Sequence, residues 1–300
     1  MSILASTLLL ISVYIGEHFL LVGLYGRKSS LQRLIRPNAS AKADLPFVLL
    51  YEVGFRWLGH WPKLICGPGI LYLGVGWALG WLEFAGPAQS ILPTDPWLLA
   101  IPVLLALDFP LYVTHVAMHR VPFLWRFHAV HHAATEMTIA NGSRVALAEY
   151  FFGELAILLF MTLIFGAVRP EIILPILIVR NAIDMLQHSD LPWHFGPGGY
   201  VVASPGFHRM HHSSRPEDRN ANYANIFAIW DHLFGTVAPR YRSAPLSASD
   251  CPLGLNDPAS AAHYNRIVGP LLCTLPADFL EAWCQGGGKH SRATSPFLSQ

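Results

Sequence analysis

The chain is 300 residues long, with 53% apolar residues, only 13% charged residues and a formal net charge of +1. The charged share is about half that of an average soluble protein, which argues against a soluble chain. With so little net charge, no basic stripe and no zinc-finger spacing, nothing indicates nucleic-acid binding. The four cysteines form no C-x-x-C pair, so neither a zinc ribbon nor a thioredoxin motif is predicted.

Five apolar segments predict membrane helices, because each approaches the length that crosses about 30 Å of hydrocarbon. They cover residues 3–25, 64–84, 96–118, 145–168 and 170–187. The first segment lacks a basic start and a small-residue cleavage site, so we predict an anchor rather than a removable signal peptide. The sequence therefore predicts an all-α integral membrane protein with about four to five spans.

The positive charges are distributed unevenly around these segments. Of the 20 Lys and Arg residues, 18 lie after the first segment, between the third and fourth, or after the fifth. Arg169 falls on the opposite side, and Arg180 lies within a span. Because cytoplasmic loops are enriched in Lys and Arg, we predict an outside N-terminus and histidine motifs that face the cytoplasm.

Three regions follow from this organisation. Residues 1–95 hold N-terminal membrane helices and a basic cytosolic loop, and residues 96–242 form the histidine-box catalytic domain. Residues 243–300 form a C-terminal tail, in which 258–284 can be an amphipathic surface helix. The last fifteen residues are predicted to be disordered.

The histidines are concentrated in the middle of the chain, where ten of the 15 lie between positions 115 and 212. Eight of them form three motifs with helical spacing: His115-x3-His119, His128-x2-His131-His132 and His208-x2-His211-His212. Residues three or four apart share a helix face, so each helix is expected to present its imidazoles to one point. His188 stands alone at the end of the fifth span, and His194 follows six residues later.

This spacing predicts metal binding. Neutral imidazole is a ligand for Fe, Zn, Cu and Ni, and coordination offsets the cost of so many ionisable groups near a membrane. Eight or nine ligands exceed the about four to six that one such ion takes, so two metals are predicted. The isolated histidines are not predicted to be ligands: His18, His60, His232, His263 and His290. The role of His194 stays open.

The order of these motifs resembles the fatty acid hydroxylase/sterol desaturase superfamily. Further segments carry the resemblance: Asp108-Phe109, Gln187-His188-Ser189-Asp190, Ser204-Pro205-Gly206-Phe207, Asn222-Tyr223 and Trp230-Asp231-His232-Leu233-Phe234-Gly235-Thr236. Together they cover roughly residues 100–240. The His-x3-His spacing of the first motif favours sterol-desaturase-like or alkylglycerol-monooxygenase-like members over the sphingolipid acyl hydroxylases.

The resemblance implies a helical membrane bundle with a cytosolic helical cap that holds two iron ions. It also implies O2-dependent hydroxylation, desaturation or ether-carbon oxidation of a sterol, acyl or alkyl lipid. Because imidazoles accept zinc as readily as iron, the isolated protein can carry zinc. The implied metal ligands are His115, His119, His128, His131, His132, His188, His208, His211 and His212.

The sequence contains no G-x-G-x-x-G motif and no haem or iron–sulfur signature. Electrons would therefore come from a separate donor protein, cytochrome b5-like or ferredoxin-like. Two other classes stay open at this point. A membrane metal transporter would place its ligands at mid-membrane and often in repeats. A zinc-dependent membrane hydrolase would need a carboxylate beside an open zinc position, for which Glu136 and Glu149 make no convincing case.

Several other polar residues are candidates for a place next to the ligands. Asp108 either orients a ligand histidine or ends a span. Arg144 either pairs with a carboxylate or a lipid head group, or anchors the cytoplasmic face. Arg180 and Asp184 are spaced to pair on one helix and can line a polar path to the metals. His194 is the remaining candidate.

Overall fold

The computed structural model describes residues 3–54, 96–165, 170–242, 251–256, 261, 264 and 265. The predicted span over 64–84 and the last fifteen residues lie outside these ranges, as does nearly all of the predicted tail helix.

The described residues form helices and turns and contain no β-strand, as the all-α prediction requires. The α-helices are α1 Ile3–His18, α2 Ser30–Ile35, α3 Ala39–Phe47, α4 Pro96–Arg120, α5 Pro122–His132, α6 Leu147–Phe165, α7 Pro170–Gln187, α8 Pro205–His211 and α9 Ile229–Phe234. Helices α1 and α3 continue as π-helices, Phe19–Leu24 and Val48–Gly54. Short 3₁₀ turns span Ile139–Ser143, Gly196–Tyr200, Pro216–Asp218 and Pro239–Arg242.

Two helices of the described ranges are long and apolar enough to cross a membrane: Leu98–Arg120 within α4, and α6. Helix α4 includes Pro102 and Pro110, which membrane helices tolerate because their neighbours satisfy the freed backbone groups. Residues Ile11–Leu24 form a shorter apolar helix. The predicted count of five spans is therefore not confirmed.

Helices α4, α6 and α7 share an apolar core of Val103, Leu107, Ile157, Met161, Phe165 and Ile176. Their outer faces are also apolar. Ile101 of α4 and Leu163 of α6 are 63% and 62% exposed. Large apolar side chains on both the inner and the outer face suit helices that meet lipid rather than water.

Helix α5 folds back from the end of α4. Val121 is the single extended residue between them, and Pro122 opens α5 where a missing N–H costs no helical hydrogen bond. Phe127 and Val130 bury one face of α5 in a core that includes Phe47 and Tyr51. This turn brings the histidines of α5 back against those of α4.

The start of helix α8 explains the Ser-Pro-Gly-Phe segment. Ser204 Oγ accepts a hydrogen bond from Phe207 N at 3.2 Å, and Pro205 occupies the first helical turn. A Cβ at Gly206 would lie 2.6 Å from Nδ1 of His194. Only glycine leaves room for that ring, so the segment sets the position of the third histidine motif.

Candidate metal centre

Nine histidines converge in two adjacent groups. Seven lie on α4, α5 and α8, and two directly follow α7 and α8. The five-histidine cluster contains His115, His119, His128, His132 and His211. The four-histidine cluster contains His131, His188, His208 and His212. Within each cluster the possible ligand atoms lie within 4.8 Å of one another. These are the nine residues that the sequence singles out, and their role as ligands stays a prediction.

Each triple motif is divided between the two clusters. On α5, His128 and His132 belong to the five-histidine cluster, whereas His131 belongs to the other. On α8, His211 belongs to the five-histidine cluster, and its neighbour His212 to the other. Adjacent helical residues point about 100° apart, which separates them. This corrects the expectation that each helix presents all its imidazoles to one point.

In the five-histidine cluster, Nε2 atoms face one another at short distances. His128 Nε2 lies 3.0 Å from His115 Nε2 and 3.1 Å from His132 Nε2. His132 Nε2 lies 3.0 Å from His211 Nε2. The Nε2 of His119 is buried without a hydrogen-bond partner among the described residues.

The four-histidine cluster repeats this arrangement. His188 Nε2 lies 2.9 Å from His208 Nε2 and 3.3 Å from His131 Nε2. His208 Nε2 lies 3.1 Å from His212 Nε2. The clusters touch where the rings of His132 and His212 stack with centroids 4.5 Å apart.

The hydrogen-bond partners of the Nδ1 atoms show which ring nitrogen carries the proton. His115 Nδ1 lies 2.7 Å from the Tyr223 carbonyl, and His128 Nδ1 lies 2.7 Å from Glu149 Oε1. A carbonyl or a carboxylate accepts but does not donate, so both Nδ1 atoms carry the proton. The Nε2 atoms of the neutral rings then expose lone pairs, which cannot hydrogen-bond to each other.

Two further rings are held in the same way. His211 Nδ1 donates to the Ala221 carbonyl at 2.9 Å, and His188 Nδ1 donates to the Asp184 carbonyl at 2.8 Å. Converging nitrogen lone pairs repel one another unless a cation lies between them. The donor set therefore fits a metal ion in each cluster, and imidazole donors suit iron or zinc.

Burial favours the neutral form of several of these rings. Eight of the nine histidines are buried and His119 is half-buried. Burial, followed by the neighbouring histidines, lowers the pKa of His131, His132, His208 and His212 well below the usual range for histidine. For His211, burial lowers the pKa to about 3, although its hydrogen bond to Ala221 partly opposes this. Neutral imidazole is the form that binds metal.

Glu149 has a place that sequence reasoning missed. The sequence offered it only as a carboxylate for a zinc hydrolase, whereas its carboxylate accepts from His128, 21 residues earlier. A carboxylate behind a ligand histidine fixes the ring and raises its basicity. Glu149 lies in the first turn of α6, and no local spacing predicts that α6 returns to α5.

Asp108 does not contact a ligand histidine, contrary to one of its two expected roles. Its carboxylate accepts from the backbone N–H groups of Ile226 and Phe227 at 2.9 and 3.0 Å, and from Trp230 Nε1 at 3.0 Å. Phe109 packs against the same tryptophan with ring centroids 5.0 Å apart. Asp108 therefore fixes the segment around α9 against the membrane helix α4.

Arg144 pairs with a carboxylate and is fully buried, which rules out contact with a lipid head group. Its Nη1 donates to Asp44 Oδ1 at 3.0 Å, its Nη2 to the Tyr264 carbonyl at 2.8 Å and its Nε to the Val130 carbonyl at 2.7 Å. Val130 lies between His128 and His131. Arg144 thus ties the helix that carries both histidines to the N- and C-terminal parts of the described chain.

The remaining histidines that the structure describes lie outside both clusters. His194 packs against Gly206 and Tyr241, His18 Nδ1 lies 2.8 Å from Ser29 Oγ, and His232 stacks on Tyr200. The other three isolated histidines fall outside the described residues: His60, His263 and His290.

Two cavities reach the clusters from different sides. A cavity of about 220 Å³ is lined by histidines of both clusters and by four acidic or basic residues: Glu149, Glu154, Arg180 and Asp184. A cavity of about 260 Å³ reaches only the five-histidine cluster, beside Arg120, Trp125 and Arg219. We call the first the polar cavity.

An apolar groove of about 490 Å³ runs between α4 and α6. Its lining includes Phe109, Val113, Leu159 and Leu163. Thr114 lines both this groove and the polar cavity. Apolar and polar compartments therefore meet within one residue of His115.

Comparison with known proteins agrees with the resemblance seen in the sequence. Residues 100–236 match the fatty acid hydroxylase family. An ornithine lipid hydroxylase of Rhizobium tropici is 34% identical over 145 residues, which are 47% of this chain and 43% of the relative. An alkylglycerol monooxygenase of Caenorhabditis elegans is 26% identical over 229 residues, which are 70% and 44%.

A cholesterol 25-hydroxylase of Mus musculus is 35% identical over 165 residues, which are 50% of this chain and 49% of the relative. The chain therefore spans less than half the length of these relatives. No solved structure matches it. The predicted resemblance is confirmed for residues 100–236, which carry a fatty acid hydroxylase domain, and the comparisons support neither the transporter nor the hydrolase alternative.

Proposed function

We propose that this chain, whose residues 100–236 form a fatty acid hydroxylase domain, is a membrane-bound oxidase that uses O2 to oxidise a lipid. The observation that carries the proposal is the convergence of nine histidines in a group of five and a group of four. No hydrogen-bond scheme satisfies the facing Nε2 lone pairs of His115 and His128, whereas a bound cation does.

Each cluster would hold one iron ion, with its histidines as ligands. Two iron ions bound there would supply the activation of O2, which zinc cannot do because it has no redox chemistry. The protein itself orients the rings, through Glu149 for His128 and through backbone carbonyls for His115, His188 and His211. Burial favours the neutral form of several of these ligands.

A lipid substrate agrees with both the relatives and the cavities. The relatives are named for ornithine lipid, alkylglycerol and cholesterol. The apolar groove between α4 and α6 is suited to the hydrocarbon of a lipid, which would enter from the membrane and present its reacting carbon to the clusters past Thr114.

In the membrane, α4 and α6 would cross the bilayer within a multi-pass chain, and α5 and α8 would form the cap. The clusters lie near Arg120, at the end of α4, so the positive-inside rule assigns them to the cytoplasm. Residues 96–242 would be the catalytic domain, between the membrane helices of 1–95 and the tail of 243–300.

A separate cytochrome b5-like or ferredoxin-like protein would supply electrons. We assign its approach to the cavity that reaches only the five-histidine cluster. There the Trp125 ring lies 5.1 Å from that of His119 and 5.3 Å from that of His132, between centroids.

The test compares wild type, His131→Ala and His232→Ala in a lipid-producing host grown under 18O2. We expect mass spectrometry to find a labelled lipid, or an aldehyde from ether cleavage, with wild type and His232→Ala but not with His131→Ala. A loss of two hydrogens in place of label would identify a desaturase. Identical lipid profiles for all three chains would contradict the proposal.

A further inference from the structure

We propose that the substrate is a lipid with a zwitterionic head group, and that this head group occupies the polar cavity beside the clusters. This deepens the proposed function and rests on it. The oxidised carbon would then lie in or next to the head group, rather than at the far end of a hydrocarbon chain.

The polar cavity carries charged residues beside the candidate membrane helix α6. Glu154 lies within the membrane helix α6, and Arg180 and Asp184 lie on consecutive turns of α7. All three line the cavity. An ionisable residue within a membrane segment, such as Glu154, is costly and usually serves a ligand or a transport path. Glu149, which also lines the cavity, accepts a hydrogen bond from His128.

We call the side of the cavity formed by Glu154, Arg180 and Asp184 the charged wall. This wall touches the clusters themselves. Asp184 Oδ1 lies 3.6 Å from Nδ1 of His188. A Cβ at Gly142 would lie 2.6 Å from Asp184 Oδ2 and 3.3 Å from His188 Nδ1, so Gly142 leaves space for the carboxylate and the ring to lie side by side. A substrate atom that reaches His188 from this cavity therefore meets polar groups at once.

This wall discriminates between lipid classes. The terminal hydrocarbon of a sterol or an acyl chain would remove water from Glu154, Arg180 and Asp184 without replacing its hydrogen bonds, which is unfavourable. Ion pairs among these residues would neutralise part of the charge without making the wall apolar. The cavity, at about 220 Å³, is also smaller than sites that enclose a whole drug-sized ligand, which run from about 300 Å³.

The balance of charges indicates the head group. The carboxylates of Glu154 and Asp184 suit an ammonium group, and the guanidinium of Arg180 suits a carboxylate, which it can bind with two parallel hydrogen bonds. The hydrocarbon would leave through the apolar groove past Thr114, whose hydroxyl is already satisfied by the Pro110 carbonyl at 2.7 Å.

Binding to the zinc-loaded full chain in detergent micelles tests this inference without turnover. The probes for calorimetric titration are N-dodecanoyl ornithine, its methyl ester, its side-chain N-acetyl derivative and dodecylglycerol. The ester lacks the carboxylate and the acetyl derivative lacks the ammonium. We expect the zwitterion to bind roughly tenfold or more tightly than each of the others, because each leaves a charged group of the cavity without a partner.

Variants then assign each charge. Arg180→Gln should abolish the preference for the acid over the ester, and Asp184→Asn should weaken the preference for the free amine over its acetyl derivative. The exposed Arg36→Gln is the control and should keep both preferences. A structural defect would weaken the binding of all four probes together. The loss of one preference alone therefore identifies a contact between the substituted residue and that charged group of the probe.

Equal binding of the four probes by wild type, or tighter binding of dodecylglycerol, would overturn the inference. The order of affinities of the four probes for the wild-type chain tests the inference even if Arg180→Gln does not fold. Turnover of the same probes by the iron-loaded protein under 18O2 separates the two proposals. The expected ranking without label would contradict the proposed function alone, whereas label in dodecylglycerol or cholesterol without the ranking would contradict the head-group inference alone.

Discussion

The two histidine clusters are supported differently by the protein around them. In the five-histidine cluster, three rings donate an Nδ1 hydrogen to the protein: His115, His128 and His211. In the four-histidine cluster, only His188 has such a partner among the described residues. The first cluster is therefore oriented before any metal binds, whereas most rings of the second are held by their helices alone.

The clusters also differ in what they face. Three of the four histidines in the smaller cluster line the polar cavity: His131, His188 and His208. A site with four ligands leaves more positions open than a site with five. We infer that the smaller cluster is the weaker and more accessible metal site, and the larger one the more permanent.

Ligand deletion should show the largest effect. His208→Ala leaves three nitrogens in the smaller cluster, and His211→Ala leaves four in the larger. Because removing an outer-shell partner already costs about 10–100-fold in metal affinity or activity, we expect both variants to lose activity by at least that factor. Metal analysis should find that His208→Ala loses its second iron, whereas His211→Ala keeps more.

His232→Ala is the matched control for these deletions and should keep both metals and full activity. If His211→Ala loses as much iron as His208→Ala, the two clusters are equivalent and the comparison fails.

Removal of Arg144 should affect both clusters alike, because it holds the carbonyl between His128 and His131. Arg144→Ala leaves Asp44 buried without its partner, a change that typically costs about 3–5 kcal/mol of stability. We expect a clear drop in the thermal unfolding midpoint by circular dichroism in micelles, with loss of both metals. Arg36→Ala, at an exposed site, should change neither the unfolding midpoint nor the metal content. Loss of iron from only one site in Arg144→Ala would contradict a role of Arg144 in supporting both clusters.

The sequence predicted the nine histidines and the all-helical architecture because both depend on local spacing. Helical periods of three and four residues place His115 with His119, and they are visible without knowledge of the fold. The division of each triple motif also follows from helix geometry, yet it requires knowing that neighbours such as His131 and His132 meet different partners.

What the sequence could not predict depends on long-range contacts. The partner of His128 is Glu149, on another helix, and the partner of His115 is the Tyr223 carbonyl, 108 residues away. A backbone carbonyl has no side-chain signature at all. Arg144 was assigned to the membrane surface or to a carboxylate, and only the packing of Asp44 and Val130 around it shows that it is buried.

The Glu149 carboxylate offers a test, with a smaller expected effect, of the different hydrogen-bond support of the two clusters. Glu149→Gln keeps an acceptor for His128 but removes its charge, so we expect iron affinity to fall about tenfold at the five-histidine cluster. Asp184→Asn should change iron affinity less, because His188 is held by the backbone carbonyl of that residue. Competition with a chelator measures both, and the exposed Glu217→Gln is the control. Equal losses for Glu149→Gln and Asp184→Asn would show that the carboxylate charge of Glu149 is irrelevant.

The last prediction concerns pH, and it follows from the ring of His211. Burial lowers its folded-state pKa to about 3, against about 6.5 in an unfolded chain. The unfolded state then binds more protons below pH 6.5, so the metal-free protein should lose stability as the pH falls from about 6.5 towards 3, and be fully stabilised above about pH 6.5.

His211→Ala should reduce the slope of the unfolding free energy against pH by up to about 1.4 kcal/mol per pH unit, whereas His232→Ala should not. Unfolding midpoints of the metal-free chains between these limits measure the slopes, and a steeper slope in His211→Ala would mean that this ring is charged when folded and that the larger cluster is not ready for metal.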